Sequence, residues 1–187
     1  MKRKKFSLKR NKIIIDENEY YISNDIIYEL NLTKKEFISE EEYKIIMKSI
    51  IKSRAFYYLS KRDYLKKELK YKLESKFLIE KNFIDEILDE FEKQGYIEDR
   101  SFIKNYIKNK NASIEKIKYE LSIKGADKKI IEEELKELRE EIKDKEYENI
   151  RKNLRKVKNR EKNKQIEYLM RKGFKYEDIK IVLKEDR

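Results

Sequence analysis

Apolar residues recur along most of this chain at helical intervals, and the pattern itself repeats. Leu69, Ile117 and Gln165 take one equivalent position; Leu73, Leu121 and Leu169 take the next. Phe83, Ile131 and Ile179 follow, then Ile87, Leu135 and Leu183, each set spaced by 48 residues. So constant a shift reads as one three-helix unit written three times, because a unit of this size buries its apolar face fully only against further copies. Gly125 and Gly173 obey the same shift, and the first unit has Phe77 where they stand. Gly95, Gly125 and Gly173 each fall where a helix should stop, the position at which glycine takes the left-handed conformation that terminating hydrogen bonds require.

The pattern predicts Leu65, Leu69 and Leu73 on one helix, capped by Asp63, and Phe83, Ile84, Ile87, Leu88 and Phe91 on the next. In the second unit a helix begins near Asp99 with Phe102, Ile103, Tyr106 and Ile107, Ser113 caps the next, and Asp127 caps a third. The third unit runs through Tyr147, Ile150 and Leu154, then Ile166, Leu169 and Met170, then Ile179 and Leu183. Upstream of the repeats, Tyr43, Ile46, Met47, Ile50, Ile51, Arg54, Tyr58 and Leu59 lie near helical spacing behind a Ser39 cap, which predicts a long linking helix.

The first residues follow a different period. Lys12 to Ile15 and Glu19 to Ile22, separated by Asp16-Glu17-Asn18, read as a β-hairpin, with Phe6 and Leu8 on a flanking strand. Ile26, Ile27, Tyr28, Leu30 and Leu32 are expected to pack one side of it, since so small a sheet needs support. The expected fold is therefore mainly α: an elongated array of three tandem three-helix repeats, preceded by a short N-terminal β-hairpin and a long linking helix. Its parts are residues 1–38 (hairpin-like extension), 39–94 (linking helix and repeat 1), 95–142 (repeat 2) and 143–187 (repeat 3).

Composition changes this picture mainly by exclusion. The 187 residues contain no cysteine and no histidine, which removes disulfides, thiolate zinc sites, imidazole bases and the usual paired nucleophiles. Glu132 to Glu134 is the densest acidic cluster, but consecutive helical residues diverge by about 100° and do not converge on one ion. With only three glycines there is no phosphate-cradling loop. The chain is expected to be non-enzymatic, with no cofactor and no metal. No apolar run reaches the roughly 18 residues of a membrane span, and the basic N-terminal stretch lacks the apolar core of a secretory signal. A cytoplasmic protein without a membrane partner is expected.

Charge adds the candidate chemistry. Lysine and arginine number 49 against 38 acids, a net +11 that points to a polyanionic partner; 14 tyrosines, 8 phenylalanines and abundant isoleucine set the chain apart from disordered sequences. The second helices and the loops before them are basic, and the third helices are acidic. Lys61, Arg62, Lys66, Lys67, Lys70 and Lys72 form the first basic block; Lys108, Lys110, Lys116, Lys118 and Lys124 form the second. The strongest reads RKNLRKVKNREKNK, with Arg151, Lys152, Arg155, Lys156, Lys158, Arg160, Lys162 and Lys164 against the single acid Glu161. Stacked units would present a basic stripe and an acidic stripe. A solvated helix face explains one lysine block alone, whereas recurrence at equivalent positions suits a phosphate- or carboxylate-facing track. Tyr64, Tyr71, Tyr106 and Tyr119 lie near these blocks, where core packing competes with stacking on bases.

Three passages carry a family likeness: AFYYLSKRDYLKKELKYKL from Ala55 to Leu73, GYIEDRSF from Gly95 to Phe102, and ELSIKGADKKIIEEEL from Glu120 to Leu135. With RKGFKYEDIKIVL in the third unit, the stretch from Arg54 to Leu183, about two thirds of the chain, resembles the RecX family of regulators of the RecA recombinase. The missing glycine near Phe77 and the Tyr106-Ile107 pair depart from the family pattern. The resemblance implies an all-helical modular protein lying in the groove of a RecA filament on single-stranded DNA and inhibiting ATP turnover, filament extension and strand exchange. The basic residues named above become candidate contacts to filament or DNA. A filament-lining array needs no self-symmetry, so a monomer is expected. The competing reading is a non-specific basic DNA-binding protein with no recombinase preference.

Overall fold

A computed structural model describes residues 3–78 and 81–185. The chain divides into two compact units, Met1–Ile97 and Glu98–Arg187.

The first unit opens with an antiparallel sheet of β1 (Lys4–Lys9), β2 (Lys12–Ile15), β3 (Asn18–Tyr21) and β4 (Phe37–Ile38) in the order β3-β2-β1-β4. Asp16 and Glu17 both have positive φ, which gives the two-residue hairpin turn the hand that matches strand twist. Alternation puts Phe6, Ile13 and Ile15 into the core. The two-residue β4 was not legible as a strand, yet it brings Ile38 into full burial beside Lys4. Between β3 and β4 lie the short helix α1 (Asn24–Glu29) and a 3-10 turn, Leu32–Lys34. Ile27 and Leu32 are buried, with Ile26 and Leu30 at the core's edge. Tyr28 departs from expectation and is 76% exposed, because the residue after Ile27 points about 100° away around so short a helix.

Helix α2 (Glu40–Leu59) starts with a reciprocal cap: Ser39 Oγ accepts from Glu42 N–H at 3.1 Å, and the Glu42 carboxylate accepts from Ser39 N–H at 2.7 Å. Its buried face, Ile46, Met47, Ile50, Ile51 and Ala55, shares one core with the sheet, with α3 (Lys66–Glu74) and with α4 (Lys81–Lys93). Asp63 does not cap α3. The helix begins at Lys66 behind Leu65, whose own side chain is fully buried, so an apolar anchor takes the cap position.

The second unit holds α5 (Asp99–Asn109), α6 (Ile114–Ile123), α7 (Lys128–Glu137), α8 (Arg139–Arg155), α9 (Lys162–Arg171) and α10 (Tyr176–Glu185). Ser113 and Asp127 cap α6 and α7 as the sequence predicts. Gly95, Gly125 and Gly173 have φ of 75°, 85° and 87° and close α4, α6 and α9 with the same paired hydrogen bonds. In each, the residue after the glycine donates back five positions: Tyr96 to Phe91, Ala126 to Leu121, Phe174 to Leu169. Phe77, at the missing glycine's position, instead turns into the core and stacks on Tyr20 of β3 at 6.1 Å between ring centres.

Candidate functional site

The structure sorts the candidate cations by whether the fold already uses them. In the first unit Lys66 bonds Asp89 and Glu92, both at 2.7 Å, and Lys70 meets Asp85 at 2.5 Å. These bonds join α3 to α4, so the basic second helix and the acidic third helix neutralise each other. Arg62 grips Glu68 with both amino groups, at 2.8 and 3.1 Å. The Asp85 carboxylate holds the Lys70 pKa above its ordinary value, and Glu68 does the same for Arg62. In the second unit Lys108 pairs with Glu141 at 3.0 Å, Lys118 with Glu115 at 3.7 Å, and Lys110 with Glu120 at 2.8 Å. Tyr106 O–H donates to Glu120 at 2.5 Å, and Lys110 donates to the Tyr106 hydroxyl at 3.2 Å.

The sequence reading missed the partners that the first helices supply. Lys48 and Lys52 on α2 bond Glu86 and Glu90 on α4; Arg100 on α5 spans Glu133 and Glu134 on α7, and Lys104 reaches Glu137; Arg151 on α8 bonds Glu185 on α10 at 2.6 Å. All three repeats thus fasten their first helix to their third by cation to carboxylate. The signal was present as acids on helix three facing bases one turn apart on helix one. Separate basic and acidic stripes were the expectation; over much of the first two repeats the two are zipped together.

The longest basic run of the sequence escapes this pairing among the described residues, at the corner between α8 and α9. Arg155, Lys156, Lys158, Arg160 and Lys162 are exposed there and have no carboxylate within salt-bridge distance among the described residues. Lys152 and Lys164 meet Glu148 and Glu161 only across 3.7 and 3.6 Å of exposed surface, where pairing is weak. The corner is a built turn. Val157 is buried beneath it, Val157 N–H donates to Leu154 and Arg160 N–H donates to Val157, each at 2.9 Å. Gln165, at the repeat position held by Leu69 and Ile117, donates through Nε2 to the carbonyls of Lys158 and Arg160 at 3.2 and 2.8 Å. The Arg160 guanidinium also lies over the Tyr168 ring at 5.7 Å. A polar residue thus stands where the other two repeats have an apolar one and holds this loop, whose cations are exposed. Lys61, Lys67 and Lys116 are also exposed, but each is isolated from this corner in sequence.

Among the tyrosines near basic blocks, Tyr64 is buried, which removes it as a base platform, and the half-buried Tyr106 stacks on Phe102 at 6.0 Å between ring centres with its hydroxyl on Glu120. Tyr71 and Tyr119, equivalent positions of α3 and α6, are 57% and 67% exposed. No group of three or more acidic side chains placed to hold a metal ion occurs among the described residues, and none of their helices is long and apolar enough to cross a membrane.

A family model described as the third three-helix domain of RecX matches residues 144–183, which contain the basic corner. Over 192 aligned residues the chain is 33% identical to the regulatory protein RecX of Clostridioides difficile (strain 630), covering 93% of this chain and 88% of that one. The chain belongs to the RecX family. A second RecX family relative, from Caldanaerobacter subterraneus subsp. tengcongensis, is 31% identical over 192 residues, covering 98% and 95% of the two chains. The crystal structure of RecX from Lactobacillus salivarius superposes with a TM-score of 0.62 at 26% identity, covering 74% of this chain and 95% of that one. The mainly helical fold built of three-helix units, with its small N-terminal sheet, is thus a RecX family fold.

Proposed function

We propose that this chain regulates the RecA recombinase by binding along the groove of the RecA–single-stranded DNA filament. By doing so it suppresses ATP turnover, filament extension and strand exchange. Family membership supports the recombinase as partner, and the observation that carries the mode of contact is the uncompensated basic corner of Lys156 to Lys162. Lys48, Lys52, Lys66, Lys70, Arg100, Lys104 and Lys108 are spent on carboxylates of the same repeat; here a continuous run of cations faces outward on a held turn. A filament groove offers phosphates and protein carboxylates to such a surface, and repeated units add modest contacts into avidity. The protein acts as a monomer in the cytoplasm and performs no catalysis of its own.

The test is the DNA-dependent ATPase of the cognate recombinase on single-stranded DNA, titrated with this protein well below one copy per protomer. Loss of turnover at that ratio is expected. Inhibition only at amounts that saturate the DNA would replace this reading with non-specific DNA binding. A variant carrying Arg155→Glu, Lys156→Glu, Lys158→Glu and Arg160→Glu should remain folded and lose inhibition. Arg151 is left intact because its bond to Glu185 holds α8 to α10.

A further inference from the structure

In the first unit, β3 at the sheet edge and the outer side of α2 enclose a cleft with Phe77 and Tyr20 in its lining. Two other tyrosines line it without being buried: Tyr21 is 61% exposed and Tyr57 is 52% exposed, in a unit that fully buries Phe77 and Phe91. Each exposed ring carries cations. Lys12 lies over Tyr21 at 5.0 Å; Arg54 and Lys61 lie over Tyr57 at 5.6 and 5.3 Å. The ring series continues from Tyr57 to Tyr58 at 5.9 Å and to Tyr64 at 6.3 Å, with Lys72 over both of the latter.

Charge balance in this cleft differs from that of the helix faces nearby. Lys48, Lys52, Lys66 and Lys70 are all bonded to acids of α4. The cleft has one lining acid, Glu19, and Lys12 bonds it. The lining cations Arg54 and Lys76, and Lys61 beside the cleft over Tyr57, have no carboxylate within salt-bridge distance among the described residues. Left-over positive charge and exposed rings therefore coincide. An acidic peptide would satisfy the cations and leave the tyrosines unexplained, and a duplex keeps its bases stacked on each other. A single strand uses both, because every base offers a face to an aromatic ring while its phosphates seek cations.

We propose that this cleft binds single-stranded nucleic acid, with bases stacked on Tyr21 and Tyr57 and backbone phosphates held by Arg54, Lys61 and Lys76. The site needs no recombinase and is separate from the basic corner of the third repeat.

Fluorescence anisotropy of the full chain with labelled oligo(dT), with an abasic phosphodiester of equal length and with a glutamate-rich peptide tests it. The parent should bind oligo(dT) about tenfold or more tightly than the abasic strand. Combined Tyr21→Ala and Tyr57→Ala should cost about tenfold or more on oligo(dT) and leave abasic binding unchanged. Tyr21→Phe with Tyr57→Phe keeps both rings and should keep the affinity, which separates stacking from loss of fold. Equal binding of the two strands, an alanine variant that binds like the parent, or preference for the acidic peptide would each overturn the proposal. So would a base preference that vanishes with the Arg155, Lys156, Lys158 and Arg160 reversals and survives the alanine pair. No recombinase is present in this assay, so its failure leaves the filament reading intact.

Discussion

Ser113 Oγ lies 2.7 Å from the point where a Cβ on Gly173 would stand, so the cap of α6 and the stop of α9 share one space. The same hydroxyl accepts from Lys116 N–H at 3.3 Å and donates to the Lys172 carbonyl at 3.1 Å, joining the second repeat to the third. Gly173 therefore serves two purposes: its φ of 87° ends the helix, and its bare Cα admits the serine. Gly125, with φ of 85°, closes α6 in the same left-handed conformation. Gly125→Ala should cost about 1 kcal/mol of backbone strain. Gly173→Ala should cost at least about 1 kcal/mol more, since the Ser113 hydrogen bonds must also shift. Urea unfolding of the two variants checks this, and equal losses would refute the shared-space account.

Glu146 on α8 enters the same joint from another side. Its side chain is buried and accepts from Ile114 N–H, at the start of α6, at 3.2 Å. Burial pushes its pKa above the ordinary 4.5; the Ile114 bond works against that shift, Asp178 and Glu115 add to it, and Lys175 opposes it. A carboxyl with a raised folded pKa binds its proton more tightly in the folded state. Its contribution is fully present below the unfolded value and is lost as pH rises through the folded one. Glu146→Gln can still accept from Ile114 and never ionises. The variant should gain stability on the parent as pH rises from about 4 to about 7, measured by denaturant midpoints. Parallel midpoints across that range would refute it.

Two carboxylates that join helix pairs shift in the opposite direction to Glu146. Hydrogen bonds from Lys110 and then Tyr106 lower the Glu120 pKa, and Lys104 lowers that of Glu137. Their support is present above the unfolded carboxylate value and falls away as pH drops through the depressed folded values. Reversing one partner should therefore be harmful and reversing both should be restorative: Glu137→Lys lowers the melting temperature at low salt, and adding Lys104→Glu recovers part of it. Melting curves of the parent, both singles and the double, at low and high salt, supply the cycle. A double variant no better than the worse single would count against the zipper.

Phe77 marks where the first repeat departs from the other two. The glycine of the later repeats would leave the space beside Tyr20 empty, whereas Phe77 is 1% exposed and ties the sheet to the three-helix core. Phe77→Ala should cost about 3–5 kcal/mol. Phe77→Gly, which restores the repeat pattern, should cost no less. Chemical denaturation decides it, and a mild loss for glycine would mean that Tyr20 closes the gap.

How far the sequence was legible depends on which interaction placed each residue. The helix stops at Gly125 and Gly173, the caps at Ser39, Ser113 and Asp127, and the hairpin turn at Asp16-Glu17 are local, and short windows of sequence contain them. Asp63 was misread because tertiary burial of Leu65 overrides the cap preference. The two-residue β4 exists only because β1 pairs with it from more than 30 positions upstream. The candidate cations were legible as a list and illegible as a site, since Lys66 and Arg155 look alike until α4 is folded against α3. The tyrosines divided in the same way: Tyr64 is buried, and Tyr57, with no distinguishing neighbour in sequence, stands in water.

Gln165 offers a separation of fold from function within the third repeat. The repeat pattern asks for an aliphatic residue there, as at Leu69 and Ile117, both buried. Instead its amide nitrogen is spent on the carbonyls of Lys158 and Arg160, which fixes the path of the loop that carries the basic corner. Gln165→Leu should leave the helical core as stable as in the parent or slightly more so, because the position is already half-buried among α9 neighbours and gains apolar area. The loop loses its two restraints, and its cations must then be ordered at binding, a cost taken directly from affinity. Inhibition of the recombinase ATPase by Gln165→Leu should therefore need several-fold more protein while the melting temperature holds or rises. Gln165→Glu keeps the shape and loses the donors, so it should weaken inhibition at least as much. Parent-like inhibition by both variants would mean that the corner does not act through a held geometry, and a fall in melting temperature for leucine would mean that Gln165 is a core residue after all.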